Sequence, residues 1–376
     1  MAREINLKRE NKILWIVIAS ILLVVLSSSL ILFSVYYFDN YSKNPTVSSS
    51  AQNIILLIGD GMGEKHIEVA KLYEGKELTM TSKFGSSGEL ITRSLTPGAT
   101  DSAAAATAMA TGKKVGNGRI GYYSGSNLKN FAEYSQELYK KTGVVTTKSV
   151  TDATPAAFSS HVKKRSQQEE IALQQIRNSN LDVLFGLGQS FFSQYEEEID
   201  NETRDYCVSF SELAQTQKEK VFCILPDDGI STIGNDRTLA VLTDKALDIL
   251  SKDNDQGFFL MVEGAKIDTA SHENNIQSMI NELTAFDDAV AVALNFASSN
   301  PNTTVLVVAD HETGRIKIPA NPEAQDISDD WYSTKNHTIR NVPYYIYGPG
   351  TGELPSIIDN SDIFAVMCQL FGINSL

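Results

Sequence analysis

NIILLIGDGMG, residues 53–63, contains the unbroken apolar run IILLI, which is followed by an acid between two glycines. Short continuous apolar runs are typical of strands buried on both faces, as in a parallel sheet covered by helices. Similar runs predict strands at 53–58, 143–150, 181–185, 221–225, 258–262, 303–309 and 342–347. Segments of helical period lie near 167–178, 238–251, 276–298 and 361–370. The alternation predicts an α/β fold, a three-layer sandwich with a mainly parallel central sheet and helices on both faces.

The length of 376 residues suits one large domain or two small ones. We find no internal repeat and no second core in the sequence, so we assign one folded domain to residues 53–376. The polar region 190–220, which contains SFFSQYEEEIDNETRDY, predicts a surface insertion.

The N-terminal part of the chain has a different character. Residues 13–38, ILWIVIASILLVVLSSSLILFSVYYF, carry no charge and are long enough to cross a hydrocarbon core of roughly 30 Å as a helix. Basic residues precede this run, which keeps residues 1–12 cytoplasmic. We therefore predict a transmembrane signal anchor at 13–38 and a polar tether at 39–52. The folded domain is then periplasmic or extracellular. The alternative is a cleaved signal peptide, whose apolar core is usually shorter.

Composition narrows the function classes. The net charge of −14 argues against general nucleic-acid binding, because a phosphate backbone requires a basic surface opposite it. An acidic protein can still bind phosphate esters if metal cations reverse the sign of the charge locally. Cys207, Cys223 and Cys368 are too few for a disulfide scaffold. A Cys207–Cys223 bridge and three buried free thiols both remain open.

Side chains of the metal-binding type follow four predicted strands. They are Asp60 after 53–58, Asp152 and Thr154 after 143–150, Glu263, Asp268 and His272 after 258–262, and Asp310 and His311 after 303–309, with His337 in the later segment KNHTIRNVP. Because ligands bind outside the carboxyl ends of the strands in an open α/β sheet, we expect these side chains to meet at one edge. Carboxylates paired with imidazoles are typical zinc ligands, whereas the oxygen-only set of Asp152, Thr154 and Glu263 suits magnesium. Each residue taken singly also fits a capping or loop role. His66 and His161 are interpreted as structural.

The stretch TDSAAAATAMATG, residues 100–112, predicts a helix over 103–110. Thr100 or Asp101 is its N-cap, and Gly112 ends it. Ser102 then lies in the first turn, where unpaired N–H groups and the helix dipole favour an anion. This position suits a nucleophile that attacks a phosphate, and it equally suits a capping serine on a tightly packed helix.

Six motifs, in this order, resemble the alkaline phosphatase family. They are GDGMG with Asp60, TDSAAAATA with Ser102, DATPAAFSSHVKKR with Asp152, Thr154 and Arg165, VEGAKIDTASH with Glu263, Asp268 and His272, ADHETG with Asp310 and His311, and NHT with His337. The resemblance extends from about residue 53 to the end of the chain. It implies an alkaline phosphatase that hydrolyses phosphate monoesters to an alcohol and inorganic phosphate through a phosphoserine intermediate.

Carried over by position, the resemblance implies two zinc ions and one magnesium ion. One zinc would be held by Asp268, His272 and His337, the other by Asp60, Asp310 and His311, and the magnesium by Asp152, Thr154 and Glu263 with Asp60 bridging to it. Ser102 would be the nucleophile, Arg165 would bind two phosphate oxygens, and Asp101 would orient Arg165.

Two departures from the family pattern stand out. Thr269 follows the zinc-ligand aspartate where relatives commonly carry Lys, His or Trp. The segment between His311 and His337 is short, so the large insertion seen in some relatives is missing. The resemblance implies a possible homodimer, but not one whose contacts depend on that insertion. The alternatives are a phosphodiesterase or nucleotide pyrophosphatase of the same superfamily, and an inactive membrane-tethered protein that binds metal or phosphate.

Overall fold

The computed structural model describes residues 45–232 and 238–373, together with the single positions Trp15, Ser20 and Val25. The chain divides into two units, Met1–Asn44 and Pro45–Leu376. The predicted segment 1–12 and anchor 13–38 lie outside the described residues, apart from those three positions, which are helical. None of the helices formed by described residues has the length and apolar character needed to span a bilayer. The anchor stays a prediction.

The strands of the second unit alternate with helices as predicted. The strands are β1 (Asn53–Gly59), β2 (Ser86–Ile91), β3 (Tyr122–Tyr123), β4 (Ser126–Asn127), β5 (Lys141–Ser149), β6 (Val183–Leu187), β7 (Arg204–Cys207), β8 (Lys220–Leu225), β9 (Phe258–Gly264), β10 (Thr303–Ala309), β11 (Glu312–Thr313), β12 (His337–Thr338), β13 (Val342–Tyr347) and β14 (Ile357–Asp359).

The helices vary from single turns to a long helix that packs across the middle of the sheet. They are α1 (Glu64–Glu74), α2 (Thr79–Ser82), α3 (Ser102–Thr111), α4 (Phe131–Glu137), α5 (Ala153–Ala157), α6 (Gln168–Arg177), α7 (Gln189–Phe192), α8 (Glu196–Ile199), α9 (Phe210–Leu213), α10 (Leu239–Ser251), α11 (Lys266–Glu273), α12 (Ile276–Ser299) and α13 (Asp362–Leu370).

Ten strands form one sheet in the order β14-β2-β13-β10-β1-β9-β5-β6-β8-β7. Both antiparallel pairings of this sheet involve β13. The other pairings are parallel, which confirms the predicted mainly parallel sheet. At the centre, β1 lies between β10 and β9, so that Gly59 is opposite Ala309 on one side and Gly264 on the other.

The helices form two packed groups that flank the sheet, as the three-layer prediction requires. One group contains α1, α2, α10, α11 and α12, and the other contains α3, α4, α5 and α13. The long helix α12 contacts β1, β9 and β10. It buries Met279, Leu283, Phe286 and Val290, which recur at helical spacing and so form one apolar face.

Three strands of the sheet lie where no strand was predicted. Strand β2, with the sequence SSGELI, has few apolar residues, and all but one of its residues are partly or fully exposed. Strand β14 is only three residues long. The third, β7, lies inside the region 190–220 and pairs with β8 at the edge of the sheet. The prediction of a surface insertion is therefore wrong for this part of the region.

Part of the predicted tether 39–52 packs on the folded domain. The N–H of Ala51 donates to the carbonyl of Leu370 at 2.8 Å, and the N–H of Gln52 donates to the carbonyl of Asn302 at 2.8 Å. The compact unit accordingly begins at Pro45 rather than at Asn53.

The three cysteines are buried free thiols. Cys207 and Cys223 lie opposite each other on the paired strands β7 and β8. Of the two arrangements left open by the sequence, the structure has the reduced one.

Candidate active site

The carboxyl ends of β10, β1, β9 and β5 lie side by side in the sheet and bring the predicted ligands together. The GDGMG turn after β1 is tightly enclosed there. The N–H of Gly61 donates to Oδ1 of Asp310 at 3.0 Å. Gly61 has a φ of +73°, and a Cβ atom at this position would lie 2.8 Å from Oδ1 of Asp268. Glycine is required because any side chain would be strained and would collide with a predicted metal ligand.

Asp268, His272 and His337 form a first compact group, in which the candidate ligand atoms all lie within 4.8 Å of one another. Asp268 and His272 lie one turn apart on α11, and His337 comes from β12. Nε2 of His272 lies 3.0 Å from Nε2 of His337. Oδ2 of Asp268 lies 3.3 Å from Nε2 of His272, and Oδ1 lies 3.6 Å from Nε2 of His337. We call this set the first cluster.

Asp60, Asp310 and His311 form a second compact group by the same measure, and all three are buried. Nε2 of His311 lies 3.2 Å from Oδ2 of Asp310 and 3.5 Å from Oδ1 of Asp60. Both of those carboxylate oxygens are buried and have no hydrogen-bond partner. Buried polar atoms are normally paired, so these two oxygens suit coordination to a cation. We call this set the second cluster.

The three histidines are oriented as metal ligands. Nδ1 of His272 faces the carbonyl of Lys335, and Nδ1 of His337 lies 2.9 Å from the carbonyl of Thr100. Nδ1 of His311 lies 3.2 Å from Oγ1 of Thr313. A hydrogen bond at Nδ1 leaves the lone pair on Nε2, and each Nε2 points into its cluster. Two Nε2 atoms 3.0 Å apart then require a cation or a proton between them.

The electrostatics of the second cluster agree with a need for positive charge. Burial, reinforced by neighbouring carboxylates, raises the pKa of Asp60 well above its ordinary value. Burial likewise raises the pKa of Asp310 to about 7. Burial lowers the pKa of His311 well below its ordinary value, so the imidazole is neutral. A divalent cation would favour the ionised carboxylates of Asp60 and Asp310 and bind the neutral imidazole of His311. The mixed nitrogen and oxygen donors suit zinc.

The first cluster differs because its imidazoles already neutralise its carboxylate. Burial alone would raise the pKa of Asp268, but hydrogen bonds from His272 and Thr313 and the nearby imidazoles hold it well below its ordinary value. The same hydrogen bond with Asp268 raises the pKa of His272. Protons can therefore occupy the places between Asp268, His272 and His337 that a metal ion would take.

Ser102 is the first residue of α3, and Asp101 is the N-cap. Of the two predicted N-cap residues, Thr100 and Asp101, the structure has Asp101. Gly112, with a φ of +69°, ends the helix as predicted. The alanines of α3 are almost completely buried, and small side chains let the helix approach its neighbours closely. Oγ of Ser102 lies 3.2 Å from Nε2 of His311. The helix thus carries a hydroxyl to the second cluster.

Arg165 is held by two carboxylates, one of which belongs to Asp101, the residue before Ser102. Its Nη2 donates to Oδ1 of Asp152 at 2.9 Å, and its Nη1 lies 3.4 Å from Oδ2 of Asp101. Burial lowers the pKa of Arg165, but the Asp152 and Asp101 carboxylates outweigh that effect and raise it. The guanidinium is therefore fixed in orientation and permanently charged, with about a third of the side chain exposed.

The predicted magnesium set consists of Asp152, Thr154 and Glu263, and we call it the third site. Oγ1 of Thr154 is buried and interacts with the carboxylate of Glu263, which places two oxygen donors together, as a magnesium ion prefers. Oε2 of Glu263 accepts a hydrogen bond from Oγ1 of Thr146 at 2.5 Å. Burial raises the pKa of Glu263 to about 7. Asp152 is partly occupied by its ion pair with Arg165.

Two residues of the site were not predicted. Thr313 is fully buried, and its Oγ1 donates to Oδ1 of Asp268 at 2.5 Å while accepting from His311. Lys148, near the end of β5, places Nζ 4.0 Å from Oδ2 of Asp60. Burial lowers the pKa of Lys148, but the surrounding carboxylates outweigh it and raise the pKa. The sequence features that could have pointed to these two residues are the position of Thr313 at the end of the ADHET motif and the position of Lys148 at the end of a predicted strand.

His66 and His161 have structural partners, as interpreted from the sequence. Nε2 of His66 lies 3.1 Å from Oγ of Ser271, and burial lowers the pKa of His66 to about 4. Nε2 of His161 lies 3.1 Å from a carboxylate oxygen of Glu133. Neither histidine belongs to a metal-type group among the described residues.

Comparisons with known proteins agree with this geometry. The family model described as alkaline phosphatase matches residues 51–222 and 231–327. Alkaline phosphatase 4 of Bacillus subtilis (strain 168) is 31% identical over 317 residues, which cover 78% of this chain and 68% of the relative. The chain belongs to the alkaline phosphatase family. It is therefore an enzyme, a metal-dependent phosphomonoesterase.

Solved structures of alkaline phosphatases have the same fold. The enzyme from the Antarctic bacterium TAB5 matches with a TM-score of 0.76 and 34% identity, covering 87% of this chain and 100% of that chain. A variant of the TAB5 enzyme with Mg bound in its M3 site matches with a TM-score of 0.75 and 34% identity, covering 88% of this chain and 100% of that one. The family match ends before His337, so the geometry of the first cluster is what brings this histidine into the site.

Proposed function

We propose that this alkaline phosphatase cleaves phosphate monoesters through a phosphoserine on Ser102, with zinc in the first and second clusters and magnesium in the third site. One observation carries the proposal. The segment that begins α3 touches both clusters, because the carbonyl of Thr100 is hydrogen-bonded to His337 and Oγ of Ser102 lies 3.2 Å from His311. The short segment that carries the Ser102 hydroxyl at the helix N-terminus thereby contacts both metal-type ligand groups.

The metal ions would supply charge that the chain lacks. Asp268, His272 and His337 would hold one zinc, Asp60, Asp310 and His311 the other, and Asp152, Thr154 and Glu263 the magnesium. When bound, two zinc ions stabilise the entering and leaving oxygens of a phosphoryl transfer and lower the pKa of a coordinated hydroxyl.

The residues of the chain perform the other steps. Oγ of Ser102 forms a bond to phosphorus as the bond to the alcohol oxygen breaks, and the alcohol leaves with a proton. The first turn of α3 presents N–H groups and the positive end of a helix dipole to the phosphoryl group. Arg165, oriented by Asp101 and Asp152, binds two phosphate oxygens through its planar guanidinium. Water then attacks phosphorus, and the Ser102 hydroxyl is restored as inorganic phosphate leaves.

We further propose that the segment 13–38 anchors the enzyme in a membrane, with the catalytic domain periplasmic or extracellular. The uncharged run and the basic residues before it support this placement. Homodimerisation stays a prediction.

Hydrolysis of a generic aryl phosphate by the purified catalytic unit, with zinc and magnesium content measured in parallel, tests the proposed function. We expect hydrolysis that chelation abolishes and zinc with magnesium restores, and a much slower rate on the matching diester. Ser102→Ala should retain its metal content and lose hydrolysis. Ser135→Ala, which removes a buried serine of α4 that binds only the carbonyl of Phe131, should keep both. Full hydrolysis by Ser102→Ala would refute the phosphoserine. Faster cleavage of the diester would favour the phosphodiesterase alternative, and metal binding without turnover of either substrate would favour the inactive alternative.

A further inference from the structure

Lys148 brings a positive charge to the third site from within the chain. It lies near the end of β5, the strand that leads into Asp152 and Thr154. Its ion pair joins Nζ to Oδ2 of Asp60 at 4.0 Å. Thr269, by contrast, is an exposed, uncharged residue. Beside Arg165, which pairs with Asp152, the third site therefore has a cation from β5, and position 269 of α11 supplies none.

The two oxygens of Asp60 face different neighbours. Oδ1 lies 3.5 Å from Nε2 of His311 and belongs to the second cluster. Oδ2 faces Lys148. If Asp60 bridges between the second cluster and the third site, Oδ2 is the oxygen available to the third site. The ammonium group of Lys148 thus faces the oxygen that an ion there would use.

Lys148 is held at this position by charge rather than by hydrogen bonds. A separation of 4.0 Å is longer than any hydrogen bond, and Nζ has no hydrogen bond to another described residue. About a quarter of its side chain is exposed, and a lysine side chain has four rotatable bonds. The ammonium group can therefore move toward solvent without breaking a directional contact.

We propose that Lys148 is an internal counter-cation of the third site, so that Mg²⁺ binds there only by displacing its ammonium group. The ligand set of that site is the one given in the proposed function, and the inference rests on it. A monovalent and a divalent cation at adjacent positions repel each other strongly in a partly buried site. The chain therefore keeps the carboxylates of the third site partly neutralised when magnesium is scarce, and binds the ion weakly.

Calorimetric titration of Mg²⁺ into the zinc-loaded protein tests this inference. Lys148→Met keeps the length of the side chain and removes its charge. We expect Lys148→Met to bind Mg²⁺ about tenfold more tightly than the unaltered protein, or more. Lys141→Met is the matched control, because Lys141 lies at the other end of β5 and binds the carbonyls of Ile249 and Lys252. It should leave the Mg²⁺ affinity unchanged. Equal or weaker Mg²⁺ binding by Lys148→Met, or no Mg²⁺ binding by either protein, overturns the inference.

A second measurement needs no substitution. Lys148 should react faster with an amine-acetylating reagent at saturating Mg²⁺ than without Mg²⁺, whereas Lys141 should react equally under both conditions. Mass spectrometry of the resulting peptides gives both rates, and an unchanged rate at Lys148 overturns the inference. Aryl phosphate hydrolysis is recorded separately, so a protein that binds Mg²⁺ as expected but does not hydrolyse the ester counts against the proposed function alone.

Discussion

Removing the metal ions should make the stability of this protein fall as the pH rises. Asp310 is fully buried, and its pKa rises from 3.8 to about 7 because of that burial. The folded protein then holds a proton that the unfolded chain releases. Such a group contributes stability that is complete below pH 3.8 and is lost as the pH passes about 7. A rise of roughly three units corresponds to about 4 kcal/mol.

The zinc-loaded protein should not follow this trend. Zinc binds the ionised carboxylate and the neutral imidazole, so its stabilisation increases with pH. We therefore expect the difference in unfolding free energy between the zinc-loaded and metal-free proteins to widen by about 4 kcal/mol or more between pH 4 and pH 8. Urea unfolding at each pH, followed by the fluorescence of the buried Trp331, measures both values. A difference that stays constant or narrows as the pH rises would refute the reasoning.

A substitution at the titrating group provides a sharper form of the same test. In the unaltered protein, the N–H groups of Gly61 and His311 donate to Oδ1 of Asp310. Asp310→Asn keeps an oxygen that can accept these hydrogen bonds and removes the negative charge. Without metal at pH 8, Asp310→Asn should be more stable than the unaltered protein, although it binds zinc less well. Asp255→Asn, at an exposed position between α10 and β9, is the control and should leave the pH dependence unchanged.

Other predictions concern single residues of the site. His337→Ala should lower the zinc content from two ions to one, because the first cluster loses a ligand, as elemental analysis would show. Arg165→Lys should raise KM for an aryl phosphate by about tenfold, since a lysine cannot bind two oxygens at once. An unchanged KM would argue against the clamp. Thr269→Lys should strengthen inhibition by inorganic phosphate, and identical inhibition would show that this position does not affect product release.

The sheet and the site were predictable to different degrees for physical reasons. The central strands were predictable because both faces are buried, so that long apolar runs result, as in VLVVA at the end of β10. The edge strand β7, and β2 next to the opposite edge, were not predictable, because strands at or near an edge are partly exposed and need no apolar pattern. Their hydrogen bonds come from the neighbouring strand, which a local sequence pattern does not show.

The residues that meet in the two clusters could be predicted, but the atoms that orient them could not. Acids and histidines at strand ends are visible in the sequence, and the parallel sheet brings them together. The acceptors that fix His272 and His337 are the backbone carbonyls of Lys335 and Thr100, which have no sequence signature. Lys148 was missed for a related reason, since a lysine at a strand end normally extends into solvent.

Asp152 connects the phosphate clamp to the third site. Its Oδ1 accepts from Nη2 of Arg165 at 2.9 Å, so an ion that drew this oxygen toward itself would weaken one of the two carboxylate contacts that orient the guanidinium. Lys148 neutralises Oδ2 of Asp60 without using an oxygen of Asp152. While Lys148 occupies that position, Arg165 keeps both Asp101 and Asp152. If Mg²⁺ replaces Lys148 as proposed, the exchange would therefore change how rigidly Arg165 is held for the phosphate, and not only how much charge the site carries.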